Sequence, residues 1–526
     1  MAKVKALIEK KYKIVVCLFF VAYLFIGISI FKHYGISWDE HISRMNGVIT
    51  VKYVVERDQT LFTYRDRYYG TVFETLLVAI ERVLDLTKSP RAVFFMRHLV
   101  TFLLFYTGVF FFYLLSKYRF GSWKIGLLGS LFLIMSPRIF AHSFYNSKDI
   151  PCLVMFIISI YTLIRYLDKK SLYRAGSHAL ACALLVDIRI VGIVVPFLTI
   201  IFLIADLSII RLERTEYKKI GASFLTYMFL LIFFTILFWP LLWKGPFYHF
   251  ISAIRLMSRY GHPYPVLYLG DYIMGKDLPW HYIPLWIMIS TPLLYIFSFF
   301  IGCSISVRPL LSNLRDSYLS KRNDFIFILW FFLPILAIIG IRSVLYDEWR
   351  QMFFVYPALL MLSLVGLKSL FEFIKMRFRS PKYPIMNAAL ILIITFSLVK
   401  TAQFMIKYHP YQNVYFNILA GKDMNEAKSK FDLDYWGLSY RKALEYILEN
   451  DASEVIKVNV ANWSGKANAD ILPPDDRGRL LYVENLQEAK YFLSNYRWHK
   501  EEYPFKEEYY SVRIGGAKIM VVYKMN

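Results

Sequence analysis

Residues 14–31 read IVVCLFFVAYLFIGISIF, a run without a single charge. As a helix rising 1.5 Å per residue it would be about 27 Å long, close to the roughly 30 Å of a bilayer's hydrocarbon core. Lys3, Lys5, Lys10, Lys11 and Lys13 precede it. The run is too long for a signal-peptide core and lacks a small-residue cleavage site, so it reads as an uncleaved first span with a cytoplasmic N-terminus. Just beyond its end comes SWDE, residues 37–40, which sets two adjacent carboxylates beside a tryptophan.

The same kind of run recurs through the first four hundred residues. Spans are expected near 14–32, 93–115, 124–140, 150–167, 176–190, 191–207, 222–243, 283–302, 324–341, 351–372 and 385–403, about eleven in all. Gly192 and Pro196 favour two short helices over one long one across 176–207. The whole chain of 526 residues is 57% hydrophobic and 18% aromatic, with a mean hydropathy of +0.42. Its formal net charge is +23. In a soluble protein that balance would suggest nucleic acid, but here Lys and Arg gather in the short loops between apolar runs. Examples are Lys117, Arg119 and Lys124; Arg165, Lys169, Lys170 and Arg174; Arg211, Arg214, Lys218 and Lys219; Arg308, Arg315, Lys321 and Arg322; Lys375, Arg377, Arg379 and Lys382. That alternation marks cytoplasmic loops facing anionic lipid headgroups, and nucleic acid is set aside. An odd number of spans puts the C-terminus outside.

Three segments then share the outer side: a long loop at 33–92, a short one near 138–150, and an aromatic, Gly- and Pro-rich one at 244–282. Stretches 41–57 and 70–86 of the first have helical spacing and suit helices lying on the membrane. Past residue 403 the composition turns polar. LSYRKALEYILEN (438–450) and LQEAKYFLSNY (486–496) read as helices. EVIKVNVANW (454–463), RLLYVEN (479–485) and YYSVRIGGAKIMVVYK (509–524) read as strands, the last a hairpin turning at Gly515-Gly516. The expected architecture is an α-helical polytopic membrane protein, residues 1–403, carrying a small extracytoplasmic α/β domain, residues 404–526. Cys17, Cys152, Cys182 and Cys303 lie in or beside apolar runs without metal-like spacing and read as small buried hydrophobes.

Four polar clusters stand out. The first is Asp39-Glu40, whose bland reading is a pair of solvated acids at a helix end, with Trp38 as an interface anchor. The second is RIFAHSFYNSKDIP (138–151), with Arg138, His142, Tyr145, Asn146, Lys148 and Asp149 in one short outer loop and Pro151 in the first turn of the next span. Arg and Lys at headgroup depth can hold a phosphate, a carboxylate can bond a ligand or a cation, and an amide can meet a hydroxyl-rich ligand; the bland reading is a solvated loop. The third is RSVLYDEWRQMFFVYP (342–357), with Arg342, Tyr346, Asp347, Glu348 and Arg350. Basic residues outside run against the positive-inside trend, so they need a partner: an anionic headgroup, a substrate phosphate, or simply each other. The fourth is Asp187 with Arg189 inside an apolar run, functional by default or a plain internal ion pair. All four fall at the outer interface. A transporter would place its charges and broken helices near the midplane.

The arrangement resembles the multi-span glycosyltransferases of the GT-C fold, and more narrowly the protein O-mannosyltransferase-like and aminoarabinose-transferase-like group, glycosyltransferase family 39. The resemblance rests on Asp39-Glu40 after the first span, HSFYNSKDIP (142–151), YDEWRQMFFVYPAL (346–359), and YFNILAG…FDLDYWGLSY (415–440). It implies transfer of a sugar from a polyprenyl-phosphate carrier to an acceptor hydroxyl outside the cytoplasm, with inversion at the anomeric carbon. Asp39 would be the general base. Arg138, Lys148 and Arg189, backed by Arg342 and Arg350, would stabilise the leaving phosphate. Glu40 and Asp149 would orient acceptor or sugar, or hold a divalent cation if one is used; no cofactor is otherwise implied. His142, Tyr145, Asn146, Tyr346 and Asp347 would line the substrate site. The inserted β-trefoil-type domain of the eukaryotic O-mannosyltransferases is not seen, so a glycan or lipid acceptor is at least as well supported as a protein. Partners from another class of function are a lipid-linked glycan carried by a flippase, with Pro240, Pro292 and Pro334 marking gating helices, and proteins recruited by the C-terminal domain.

Overall fold

Each of the eleven apolar stretches is helical in the computed structural model, which describes residues 2–209, 213–257, 261, 263–308, 314–379 and 382–525. Arg211, Tyr260 and His262, counted in the sequence among loop residues, lie outside the described residues. Among the described residues, eight helices are long and apolar enough to cross a membrane, from Tyr12–His33 to Lys382–Lys407. The protein is a polytopic helical membrane protein with a small C-terminal sheet.

The other three stretches are not straight spans, and local chemistry says why. Helix Trp123–Ile134 gives way to Pro137–Tyr145 with a bend of 71°. Pro137 in the first turn has no N–H for a continuing helix and starts a new one. So 138–145, expected as a short outer loop, is a buried helix. The expected span 283–302 is two helices, Tyr282–Ser290 and Leu293–Val307, parted at Thr291-Pro292, where the residue before proline is held extended. Helix Leu172–Ile188 stops at Arg189, whose backbone is extended (φ −149°, ψ 131°). A 3-10 turn, Ile190–Ile193, follows and then helix Val194–Ile209, giving the two short helices the glycine and proline suggested.

Other ends are set by ordinary caps. Ser89 accepts from the Ala92 N–H and Pro90 opens helix Pro90–Phe120, which ends at left-handed Gly121 (φ 63°) before Ser122 caps the next. Lipid-facing surface is plain in the exposed apolar residues Leu18, Val21 and Phe25 of the first helix and Leu392, Phe396 and Val399 of the last span. Helices Leu293–Val307 and Tyr356–Arg377 pack backbone to backbone: a Cβ on Gly302 would lie 1.9 Å from the Leu362 carbonyl oxygen, and one on Gly366 2.0 Å from that of Ser298.

The segments expected on the outer side fold in part as their sequence suggests. Helices Glu40–Glu56 and Val72–Val83 occupy the first loop. The aromatic segment forms helix Pro246–Met257 and a hairpin of β1 (Pro265–Tyr268) and β2 (Asp271–Met274). The C-terminal sheet comprises β3 (Ile456–Val460), β4 (Leu480–Tyr482), β5 (Tyr491–Ser494), β6 (Glu508–Ile514) and β7 (Ala517–Lys524), in the order β4-β3-β5-β7-β6. The first three run parallel, and β7 pairs antiparallel with β5 and β6. Gly515 and Gly516 take φ of 53° and 92° in the β6–β7 turn, where glycine is needed. Helix Tyr440–Asn450 buries Ala443, Leu444 and Ile447 on this side of the chain. LQEAKYFLSNY, expected as a helix, is a short 3-10 turn and then β5. All four residues of Tyr491–Ser494 are buried between β3 and β7, a site that rewards strand pairing over helical spacing.

Candidate functional site

Four separate stretches bring charge to one place. The bend at Pro137 turns Arg138, His142 and Tyr145 inward on a fully buried helix. Asn146 ends that helix, and its side-chain oxygen accepts from the N–H groups of Lys148 (3.2 Å) and Asp149 (2.8 Å). This turn starts helix Asp149–Asp168 with a carboxylate in its first turn, where the helix dipole favours one. Arg189 arrives from the end of its own helix, and Arg350 opens the 3-10 turn leading into a late span.

Arg350 is the hub. It is 1% exposed, and its guanidinium meets Asp39 (3.3 Å), Asp149 (3.2 Å) and Asp347 (3.2 Å). It also stacks over the rings of Trp436 and Tyr346, with centroids at 4.7 and 5.1 Å. Asp149 is held on its other oxygen by Arg189 at 2.5 Å, and the Asn146 amide donates at 2.9 Å to the oxygen that faces Arg350. Asp347 accepts from Arg497 (2.8 Å) and from the Trp436 indole (3.3 Å). Asp347 and Glu348 both have left-handed backbones, φ 53° and 61°. Two consecutive non-glycine residues in that region are strained, and strain of this kind gathers at functional sites. Arg138 forms an ion pair with Glu348, donates to the Tyr415 carbonyl (2.9 Å) and lies over the Phe416 ring. Burial pushes the Glu348 carboxyl up to about 7, against the pull of Arg138.

Asp39 differs from the other acids. Its side chain keeps 22% exposure, and Arg350 is its one ion-pair partner among the described residues. Glu40 is not a spare charge: it is buried, accepts from the Ser37 N–H (2.6 Å) and meets His98 at 3.0 Å. It folds the SWDE loop back on itself. Asn468 clamps the same loop from the C-terminal region, accepting from the Ile36 N–H and donating to the Ile36 carbonyl, each at 2.9 Å. Trp38, expected as a membrane anchor, faces the sheet domain instead. Its N–H donates to the Trp436 carbonyl (3.2 Å), and its ring lies beside Arg497 and Trp498. The C-terminal region draws it there by supplying both a carbonyl and a cationic face.

The other candidates separate. His142 contacts the Asn146 amide (3.0 Å) and the Tyr435 hydroxyl (3.3 Å), so it braces the cluster from behind. Tyr145 is buried among Tyr34, His142 and Trp436. Lys148 reaches over the Tyr69 ring at 4.7 Å and, with Arg189, Asn46, Glu74 and Ser147, lines a small cleft. It pairs with no carboxylate among the described residues. Arg342 stands exposed at the end of helix Leu314–Ile341 with φ 49°, outside the cluster. Asp187 does not pair with Arg189; the extended backbone at 189 sends that side chain to Asp149, and neither Asp187 oxygen finds a hydrogen bond among the described residues.

Sequence reading missed two supports. Arg97, 1% exposed, pairs with Glu74 (2.5 Å) and Glu81 (3.3 Å), and Glu81 also takes Arg44 (2.9 Å). Ser147 donates to Glu74 at 2.5 Å, which ties this network to the Asp149 turn. Arg97-His98 inside an apolar run was the available signal. Arg497 and Trp436 come from the C-terminal region, where nothing in the local pattern points across to Asp347.

Among the described residues no three His, Cys, Asp or Glu side chains are placed to hold a metal ion. Glu40 and Asp149, the pair that would share a divalent cation, are engaged apart, one by His98 and the other by Arg189 and Arg350.

No family model matches the chain, and no curated protein sequence matches it. Among solved structures it is similar to ArnT from Cupriavidus metallidurans bound to undecaprenyl phosphate, at 11% identity and a TM-score of 0.48, over 96% of this chain and 97% of that one. It is similar also to ArnT from the same organism in the apo state, at 12% identity and a TM-score of 0.47, with the same coverage.

Chemically, the cluster sets one accessible carboxylate at the end of a charge relay. The order is Asp39, Arg350, Asp149, Arg189, with Lys148 beside the last. A group losing a proton can approach Asp39, and an anion can approach Lys148 and Arg189.

Proposed function

We propose that this protein is an inverting glycosyltransferase that moves a sugar from a polyprenyl-phosphate carrier to an acceptor hydroxyl at the outer face of the membrane. The observation that carries this reading is the contrast between Asp39, partly exposed and singly paired, and the buried, multiply bonded Glu40, Asp149 and Asp347. Only the first is free to take a proton from an incoming group.

In this mechanism the acceptor O–H gives its proton to an Asp39 carboxylate oxygen as the oxygen attacks the anomeric carbon. The bond from that carbon to the phosphate oxygen breaks on the opposite face, and the lipid phosphate leaves with the electron pair. A positioned carboxylate base contributes on the order of 10²–10⁴ in rate. Lys148 and Arg189 stabilise charge gathering on the leaving phosphate, and fixed cations in a site shielded from water are worth more than in solution. Arg350, 3.3 Å away, keeps Asp39 aimed. The Lys- and Arg-rich loops at the other ends of the spans support placing the cluster outside.

The test is transfer from a polyprenyl-phosphate-linked sugar by the purified protein; undecaprenyl phosphate, which one similar ArnT structure holds, is the first carrier to try. Asp39→Asn should lower turnover by at least about 100-fold with donor binding retained. If Asp39→Asn transfers sugar at the parental rate, the assignment fails. If the intact lipid-linked glycan is moved across vesicles without cleavage, the protein is a flippase.

A further inference from the structure

At the far end of helix Tyr356–Arg377 lies a cavity of ≈ 350 Å³ that plays no part in the cluster. Its walls come from helices Trp123–Ile134, Tyr356–Arg377 and Lys382–Lys407. Its lining on this helix runs from Leu364 to Lys375, which puts the cavity about 12–28 Å along the span from Tyr356. That size falls within the range of ligand clefts, about 300–1,000 Å³. The lining is apolar on the inside, with Ile125, Leu128, Leu367 and Phe371, and basic at the mouth, with Lys368 and Lys375. Lys368 shares Glu372 at 3.4 Å, an exposed pair of little strength. Lys375 is exposed and makes no ion pair among the described residues. Lys124, Arg377 and Lys382 lie at the same end of these helices.

We infer that this cavity binds one anionic glycerophospholipid of the bilayer, its acyl chain along Leu128, Leu367 and Phe371 and its phosphate at Lys368 and Lys375. The charge decides the occupant. Groove walls on membrane helices are in contact with lipid chains whatever the headgroup, so selection must come from the mouth. There the excess is strongly basic, with Glu372 as its one lining acid. Each Lys near a membrane phosphate adds about a factor of five in binding. A second copy of this chain would have to bring acids to this mouth, and free phosphate would leave the apolar wall unused.

The test uses the full-length protein stripped of lipid in neutral detergent, with bound adducts counted by native mass spectrometry. Phosphatidylglycerol should be retained at one copy and phosphatidylcholine much more weakly. The double change Lys368→Gln with Lys375→Gln should weaken phosphatidylglycerol about 30-fold. Leu128→Trp, which fills the half-buried wall and keeps both charges, should displace the lipid independently. Equal retention of both lipids, no change in the double variant, or equal competition by glycerol phosphate would overturn the inference. So would preferential binding of polyprenyl phosphate at these lysines. Sugar transfer is not the readout, so loss of this site and failure of the Asp39 mechanism are told apart.

Discussion

Arg350→Gln is the sharpest perturbation of the cluster, because its cost can be worked from the partners left behind. Removing one member of a buried ion pair typically costs about 3–5 kcal/mol, since a charge is left buried and unpaired. Arg350 faces three carboxylates, which naively triples the figure. Each has a fallback, however. Asp149 keeps Arg189 at 2.5 Å and the Asn146 amide. Asp347 keeps Arg497 at 2.8 Å and the Trp436 indole. Asp39, with 22% exposure, can be solvated. The expected loss is therefore near the bottom of the single-pair range, about 3 kcal/mol, rather than three times as much. Arg350→Lys should retain part of this, because a compact ammonium cannot reach three acids as a planar guanidinium does.

The assay is denaturation of the detergent-purified protein followed by tryptophan fluorescence, with Trp436 and Trp349 both close to the change. Arg497→Gln should be made alone and in combination. Asp347 then loses both cations, so the double variant should fall below the sum of the singles by about 0.5–3 kcal/mol. A single-variant loss under about 1 kcal/mol, or strict additivity of the pair, would refute the view of Arg350 as a shared counter-ion.

Glu348 has its carboxyl pushed up to about 7 by burial, above its unfolded value, so the folded state holds the extra proton and stability falls as pH rises from about 4.5 to 7; Glu348→Gln should flatten that slope, most clearly between pH 6 and 7, above Asp432 and Asp434, which desolvation raises to about 6, in denaturation midpoints taken across the range. Trp436→Ala should reduce sugar transfer by at least about 10-fold with the protein still folded, because it removes the surface under Arg350, a donor to Asp347 and packing against the SWDE loop; unchanged kcat/KM would rule that role out. Gly366→Ala should destabilise by about 1–3 kcal/mol or more and lower membrane yield, since the new methyl would meet the Ser298 carbonyl at 2.0 Å; a thermal midpoint equal to the parent's would show that the two helices can part freely.

Much of the fold was legible because its signals are one-dimensional. A run such as 14–31 needs no partner to declare itself, and Gly515-Gly516 between two β-rich stretches names its own turn. The failures share a cause. LQEAKYFLSNY has good helical spacing, yet the slot between β3 and β7 takes it as a strand. RIFAHSFYNSKDIP looked like a loop because its polar residues suggest water, whereas Pro137 bends the helix and buries them against partners from 348, 350 and 415. Polar density announced that these residues mattered; it could not say that they satisfy one another. The same holds for Asp187, which the sequence sets two residues from Arg189 and the backbone turns away from it.

The SWDE loop shows why the C-terminal region belongs to the site. Adjacent carboxylates at a helix end would ordinarily be interchangeable. Here Glu40 is fixed by Ser37 and His98, and the loop is fixed by Asn468, the Trp436 carbonyl and the face of Arg497. Every one of the last three comes from beyond residue 430. They help hold the Asp39 side chain at 3.3 Å from Arg350, since that side chain makes no cap bond to its own helix. Arg497 ties the same region to Asp347, so the C-terminal region positions both the partly exposed acid and the strained loop opposite it. The division of labour between Asp39 and Glu40 is therefore imposed from about four hundred residues away in the chain, and no pattern within SWDE could have revealed it.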